Sequence, residues 1–372
     1  MKRALKILAG LFMALLLVVS LTICGGLVWR LHRQNQIAVL LALDGPRAVR
    51  DGRYVTIGGV QQWISIRGEN RANPVILFVH GGPGAALSGE AAIFRKWEHD
   101  FTIVQWDQRG GGLTFAAGAH LTPDVPMERM VGDGIAVAEY VRHTLGVKRL
   151  ILVGHSWGSV LGVHMVKARP DLFSAYVGTG QLMNAADQMT MAYETTLTQA
   201  RAARNDQDIK TLEAIGRPPY ASQAGLSSLL LTRNHYFNPS DARFLGLGAG
   251  SELSYTVTSP DLSLGDAIAS IRGMLLTAGS FDIYPPLLHA DLPALGCDFP
   301  IPIFIIEGAD DRFTYTQLAK AYYECIDAPH KAFLLIPGGH FAAMTNAGAF
   351  QKALTGQVRP LALAGGAAAS SN

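Results

Sequence analysis

Leu150-Ile-Leu-Val-Gly-His-Ser-Trp-Gly-Ser-Val-Leu-Gly162 is the stretch of this 372-residue chain on which the reading of the fold turns. Its first four residues form an unbroken apolar run, as expected of a strand covered on both faces. Gly154-His-Ser-Trp-Gly158 then fits the pattern G-x-S-x-G, and a helical stretch, Ser159–Ala168, follows directly. A strand, a sharp turn and a helix in that order lift a serine hydroxyl above a sheet edge, and the two glycines let strand and helix approach. The pentapeptide alone is also compatible with a plain glycine-rich turn. With a strand before it and a helix after it, Ser156 becomes the candidate nucleophile.

Working outward, similar apolar runs recur at Val75–Val79, Thr102–Trp106, Ala175–Val177, Ile303–Ile306 and Ala332–Ile336. Two shorter alternating segments, Tyr54–Ile57 and Gln61–Ile66, read as an antiparallel entry to the sheet. Helical stretches at Met127–Thr144, Tyr315–Ile326 and Phe341–Leu354 separate several of these strands. Such alternation predicts an α/β fold with a mostly parallel sheet. The rhythm breaks between Gly178 and Leu292, where the sequence is helical and amphipathic, and an insertion of that length is read as a cap over the active site. The expected organisation is a basic flank at 1–6, a transmembrane anchor at 7–29 and a linker at 30–50. Core segments at 51–180 and 292–358 enclose the cap at 181–291, and a disordered tail occupies 359–372.

A serine hydroxyl is a weak nucleophile and needs a base, itself oriented by a carboxylate. In this strand–turn–helix setting the chain order is serine, then Asp or Glu, then histidine. Glu307-Gly-Ala-Asp-Asp311 follows one strand and Gly338-Gly-His340 follows the next, both at the edge that must carry Ser156. His340 is therefore read as the base and Asp311 as its carboxylate, with Asp310 as the alternative. His155 adjoins the serine, but the elbow turns it away. The oxyanion needs N–H donors unobstructed by side chains. His80-Gly-Gly-Pro-Gly84 follows a strand where such a loop belongs, so the backbone amides of Gly82 and Trp157 are the expected donors, with Gly81 as the alternative to Gly82.

Composition narrows the function further. Half of the chain, 49%, is hydrophobic and only 16% is charged, enough apolar surface to build a large core. Ile7–Trp29 runs 23 residues without a charge, reaching roughly 34 Å as a helix, which is enough to span a bilayer. No small-residue cleavage site follows it, and Leu21-Thr-Ile-Cys24 places a bulky Ile23 where a lipoprotein site needs a small residue. Lys2, Arg3 and Lys6 precede the run and Arg30 and Arg33 follow it. This bias favours an inside amino terminus and an exported catalytic body. The rest of the chain is mildly acidic and has no basic run, which argues against a nucleic-acid partner.

His80-Gly-Gly-Pro-Gly84, Asp107-Gln-Arg-Gly110 and Gly154-His-Ser-Trp-Gly158, in this order, resemble the proline iminopeptidase group of α/β-hydrolases, peptidase family S33. The resemblance covers Tyr54 to Leu354. It implies an eight-stranded α/β-hydrolase sheet, a helical cap and hydrolysis through an acyl-enzyme. Asp107–Gly110 is then a structural floor near the site. Proline iminopeptidases hold the substrate amine with cap glutamates in a Trp-rich stretch. This cap has no tryptophan, and its glutamates are Glu194, Glu213 and Glu252, the candidate amine ligands. Two activities compete: an aminopeptidase acting on short peptides, and a carboxylesterase or amidase with a more apolar pocket. A binding protein on a dead hydrolase fold is the third reading, and the complete set of catalytic groups opposes it. No metal cluster and no phosphate-binding Gly-Lys loop occurs in the sequence, so no metal and no cofactor is expected. Cys297 precedes one strand and Cys325 ends the helix after it, so both return to the edge opposite Ser156. They could pair as a disulfide in an oxidising compartment or remain two separate buried thiols.

Overall fold

An eight-stranded sheet runs through the centre of the computed structural model, which describes residues 2–220, 223–278 and 285–367. Its strands are β1 (Val49–Ile57), β2 (Val60–Gly68), β3 (Val75–Val79), β4 (Thr102–Trp106), β5 (Leu150–His155), β6 (Phe173–Thr179), β7 (Ile303–Gly308) and β8 (Lys331–Ile336). They lie in the order β1-β2-β4-β3-β5-β6-β7-β8. β1 and β2 form an antiparallel hairpin, β2 joins β4 antiparallel, and every other pairing is parallel. The parallel strands are mostly apolar, and β3 is apolar at every position, because both faces are covered. In β3, Leu77 and Val79 pack into the cluster containing Val137, Val160 and Tyr322, whereas Ile76 and Phe78 pack with Phe94, Trp97 and Phe350. β8 departs from the uniform burial read from its sequence. It pairs only with β7, and Leu335 is exposed on this edge.

The insertion leaves and re-enters the core through a backbone neck, in which Ala185 N donates to Ala290 O at 2.8 Å and Leu292 N to Met183 O at 2.9 Å. Between these points the described residues are mostly helical, joined by turns, and Asn184, Asn205, Asn238 and Ser251 cap four of the helices with their side chains. Tyr193, Leu212 and Leu229 build a small core of their own on Tyr315 and Leu318 of the second core segment.

Both chain ends differ from the sequence reading. The amino-terminal helix runs unbroken from Lys2 to Leu40, so the first part of the expected linker is helical. It has no Gly or Pro to stop it there, and it buries Ile37 and Leu41 against Ala91. Arg95 Nε donates to Leu40 O at 3.0 Å and Arg67 Nη2 to Leu41 O at 2.7 Å, satisfying carbonyls that a helix end otherwise leaves unpaired. At the other end, Arg359–Ala367 is helical rather than disordered, because Leu361 and Ala362 pack on the core; the remainder of the expected tail, 368–372, lies outside the described residues. Cys297 and Cys325 are joined as a disulfide with their Cα atoms 5.7 Å apart.

Candidate active site

Ser156 sits between β5 and the helix Trp157–Ala168 with φ 54° and ψ −121°. This backbone conformation is costly for a residue with a Cβ, and such strain concentrates at functional sites. Its N–H donates to Thr179 O at 3.0 Å, which fixes the turn against β6. Gly158 is needed because a Cβ there would lie 2.0 Å from the Val79 carbonyl oxygen.

His340 follows β8 and Asp311 follows β7. His340 Nδ1 lies 2.9 Å from Asp311 Oδ2, and both side chains are almost fully buried. Asp311 also accepts from Phe313 N at 2.7 Å, Thr314 N at 2.9 Å and Thr314 Oγ1 at 2.8 Å. Burial raises its pKa, but the His340 charge and hydrogen bond and the two backbone amides outweigh it and bring Asp311 down to about 2. It is therefore ionised at neutral pH, and His340 Nδ1 carries the proton it accepts. Asp310 points elsewhere, half-exposed and paired with Arg312 at 2.9 Å. The geometry thus separates the two adjacent aspartates. Ser156 Oγ caps no amide of the helix it precedes; serine–histidine contacts commonly tighten only in the substrate complex.

The loop His80–Gly84 leaves β3 and abuts the elbow, so closely that a Cβ at Gly81 would lie 3.0 Å from Ser156 Cβ. Gly82 lies in this loop, and Trp157 opens the elbow helix, whose first-turn N–H groups point out of its amino end. Gln108 ties the two together. It donates from Nε2 to His80 O at 2.9 Å and accepts from Trp157 Nε1 at 2.9 Å. Its N–H also donates to His80 Nε2 at 3.1 Å, so the His80 proton lies on Nδ1, 2.9 Å from Gly81 O. Burial lowers the His80 pKa to about 4, which keeps the ring neutral and this tautomer intact. Asp107 anchors the same floor by accepting from Ser88 Oγ at 2.7 Å and Leu113 N at 2.8 Å.

Three supports of the histidine were not visible in the sequence. His155 Nε2 lies 3.1 Å from His340 O, and since a carbonyl only accepts, His155 donates from Nε2. Its burial, followed by the adjacent His340, lowers its pKa to about 3, so it is neutral. Phe313 stacks on the His340 ring with centroids 4.7 Å apart. Asp241, a buried cap residue, accepts from His340 N at 2.8 Å and Phe341 N at 3.2 Å, and Asn238 Nδ2 holds it at 2.8 Å. Asn238-Pro-Ser-Asp241 is legible as a helix start, but nothing in that signal aims Asp241 at a residue 99 positions away.

The cap glutamates divide. Glu194 pairs with Arg217 at 2.9 Å and Glu213 with Arg201 at 3.0 Å, all on the exposed surface. Neither joins the site, because each is already neutralised by an arginine in solvent. Glu252 instead lines a small cavity with Gly84, Ala85 and Ala86, at and just after the end of the His80–Gly84 loop, together with Ile271 and Met274. Burial raises its pKa to about 7. Glu90 lies close by, fully buried with both carboxylate oxygens unpartnered, and burial and Glu252 push it well above the usual range. Among the described residues no group of His, Cys, Asp and Glu is set to hold a metal ion.

A parallel sheet with a serine elbow, a histidine and a carboxylate on successive strand ends, and a helical insertion defines an α/β-hydrolase. Residues 74–347 match the family described as the alpha/beta hydrolase fold, and the chain belongs to that family. Within it, the chain is related to the proline iminopeptidases. It is 28% identical over 290 residues to "Probable aminopeptidase YbaC" of Bacillus subtilis (strain 168), covering 75% of this chain and 86% of that one. Proline iminopeptidase of Neisseria gonorrhoeae is 31% identical over 130 residues, which is 34% of this chain and 39% of the relative. The crystal structure of proline iminopeptidase from Mycobacterium smegmatis superposes with a TM-score of 0.58 at 18% identity, covering 85% of this chain and all of that one (100%).

Proposed function

We propose that this chain is a membrane-anchored serine hydrolase that acts through an acyl-enzyme, as an aminopeptidase on short peptides. The observation that carries the reading is the buried His340–Asp311 pair beside a strained Ser156 turn. In this mechanism His340 takes the Ser156 proton as Oγ attacks the scissile carbonyl, and Asp311 stabilises the resulting imidazolium. The Gly82 and Trp157 amides hold the developing oxyanion. His340 then gives its proton to the leaving amine, and water repeats the sequence to release the acyl group.

Glu252 is the cap residue proposed to take the substrate amine, with Glu90 behind it. Desolvation raises the pKa of both the fully buried Glu90 and the partly buried Glu252, and an entering ammonium supplies the charge that favours their ionised forms. The peptidase names of the relatives at 28% and 31% identity support this choice. A second reading, a carboxylesterase or amidase, is favoured by the apolar Leu253, Ile271 and Met274 around the same cavity.

The helix Lys2–Leu40 is long and apolar enough to cross a membrane, which supports the anchor. The Cys297–Cys325 disulfide supports an exported body, since such bonds persist in oxidising compartments. Turnover of a prolyl arylamide and of a short acyl ester by the full chain, with Ser156→Ala as blank, tests the activity. Arylamide turnover supports the aminopeptidase; ester turnover alone replaces it with the second reading.

A further inference from the structure

The helix Leu264–Ala278 is amphipathic in the reversed sense. Its inner face carries Ala267, Ser270, Gly273 and Thr277. Thr277 Oγ1 donates to Gly110 O at 3.1 Å, and Gly273 is so close that a Cβ would lie 2.8 Å from that same oxygen. Its outer face carries Leu264, Ile268 and Leu275, exposed by 42%, 59% and 62%, with Leu276 at 47%. Spacings of four and seven put the first three on one stripe. A helix between protein and water turns its leucines inward. Here the most buried positions are small or polar, Ile271 and Met274 are partly buried at the cavity with Glu252, and the large apolar Leu264, Ile268, Leu275 and Leu276 face out.

One end of this helix is fixed to the amino-terminal helix at the point where the apolar run stops. Arg30 is the first charge after Ile7–Trp29, and its guanidinium is buried in the body. Nε donates to Val257 O at 2.9 Å and Nη2 to Leu262 O at 2.7 Å, while Gln34 Nε2 donates to Ser259 O at 2.7 Å. Leu264 follows two residues after Leu262, so the reversed helix begins where the span ends. Its other end reaches the catalytic loops, where a Cβ on Gly84 would lie 2.7 Å from Thr277 Cβ.

We propose that the outer face of Leu264–Ala278 seats in the bilayer interface as a second membrane contact, holding the oxyanion loop at the lipid surface. The proposal rests on the anchor reading above. Its occupant is lipid because the stripe begins two residues after Leu262, whose carbonyl holds Arg30 at the end of the apolar run. Arg272, exposed on the same side, suits anionic headgroups. The substrates favoured by this arrangement are amphipathic peptides or acyl compounds partitioned into the interface.

The test uses the full chain with Cys24→Ser and one introduced cysteine, Ile268→Cys or Leu275→Cys, labelled with an environment-sensitive fluorophore. Thr144→Cys, on an exposed turn of the helix Met127–Leu145, is the control. In phosphatidylcholine–phosphatidylglycerol vesicles carrying doxyl-labelled lipid, emission at 268 and 275 should fall about twofold or more, and emission at 144 should not. Replacing Ile268 and Leu275 together by Asp should lower turnover of a vesicle-embedded substrate about tenfold while leaving a soluble analogue unaffected. Vesicle-bound chain with unquenched probes at 268 and 275 overturns the proposal and leaves the anchor standing. Chain that stays in the supernatant removes both. Unquenched probes that cross-link to a second copy reassign the face to self-association.

Discussion

The carboxylate of Asp241, in the cap, accepts the backbone N–H of His340, in the core, at 2.8 Å. The cap therefore holds the loop that presents the proposed base. Gly339 makes room for this contact, since a Cβ there would lie 2.1 Å from Asp241 Oδ2. Asp241→Asn should lower kcat by about 10²-fold at most, with a smaller effect on KM, because it loosens His340 without removing any reacting group. Steady-state kinetics with the fold monitored by circular dichroism separates this from general destabilisation. An unchanged kcat would make the contact purely structural.

Asp311 and Asp310 should part sharply. Ser156→Ala and His340→Ala should each cost on the order of 10⁴-fold or more in kcat, and Asp311→Asn somewhat less. Asp310→Asn should stay near wild type, since its partner is the exposed Arg312. Collapse of Asp310→Asn with survival of Asp311→Asn would reverse the assignment.

Acid should unfold the protein through two neutral histidines. His80 and His155 titrate at about 4 and about 3 when folded, because burial disfavours their charged forms. The unfolded chain takes up these protons near about 6.5, so it binds more protons than the folded one below that pH. Their contribution to stability is complete above about pH 6.5 and is lost progressively as pH falls toward the folded values. Denaturant unfolding at several pH values should show His155→Gln reducing the slope by about one proton between pH 6 and 4. Gln retains a donor for His340 O, so an unaltered slope would mean that His155 is already charged in the fold.

Reducing the Cys297–Cys325 bond should destabilise the body by about 3 kcal/mol, given a sequence separation of 28. Equilibrium unfolding with and without reductant reads this directly. The Cys297→Ala, Cys325→Ala double variant should match the reduced protein and be indifferent to reductant. Equal stability in all forms would show the bond to be inert.

Truncation should distinguish the apolar part of the amino-terminal helix, proposed to span the membrane, from its docked part. A chain beginning at Arg30 should remain folded and leave the membrane fraction. One beginning at Asp44 loses the burial of Ile37 and Leu41 and the carbonyl partners of Arg67 and Arg95. It should be less stable by about 3 kcal/mol or more, read as a lower midpoint in urea. Equal midpoints would show that the docked segment contributes nothing.

The strands and the order of the catalytic motifs were legible because they follow from local chemistry. A strand buried on both faces is a mostly apolar run, and a serine elbow needs glycines at fixed offsets, so Leu150–Gly162 declares itself without tertiary information. The same holds for Ile7–Trp29, which is long and apolar enough to cross a membrane. What the tertiary structure decided were relations between distant segments. Asp311 was separated from Asp310 by the direction of two adjacent side chains leaving β7, and Glu252 from Glu194 and Glu213 by which cap helix faces Gly84–Ala86. Asp241 reached His340, and Arg30 reached Leu262, only because folding closes hundreds of residues into a few ångströms. Periodicity marks which side of an element is apolar, but not what that side meets; for Leu264–Ala278 only the packed molecule reveals that Leu264, Ile268 and Leu275 face out.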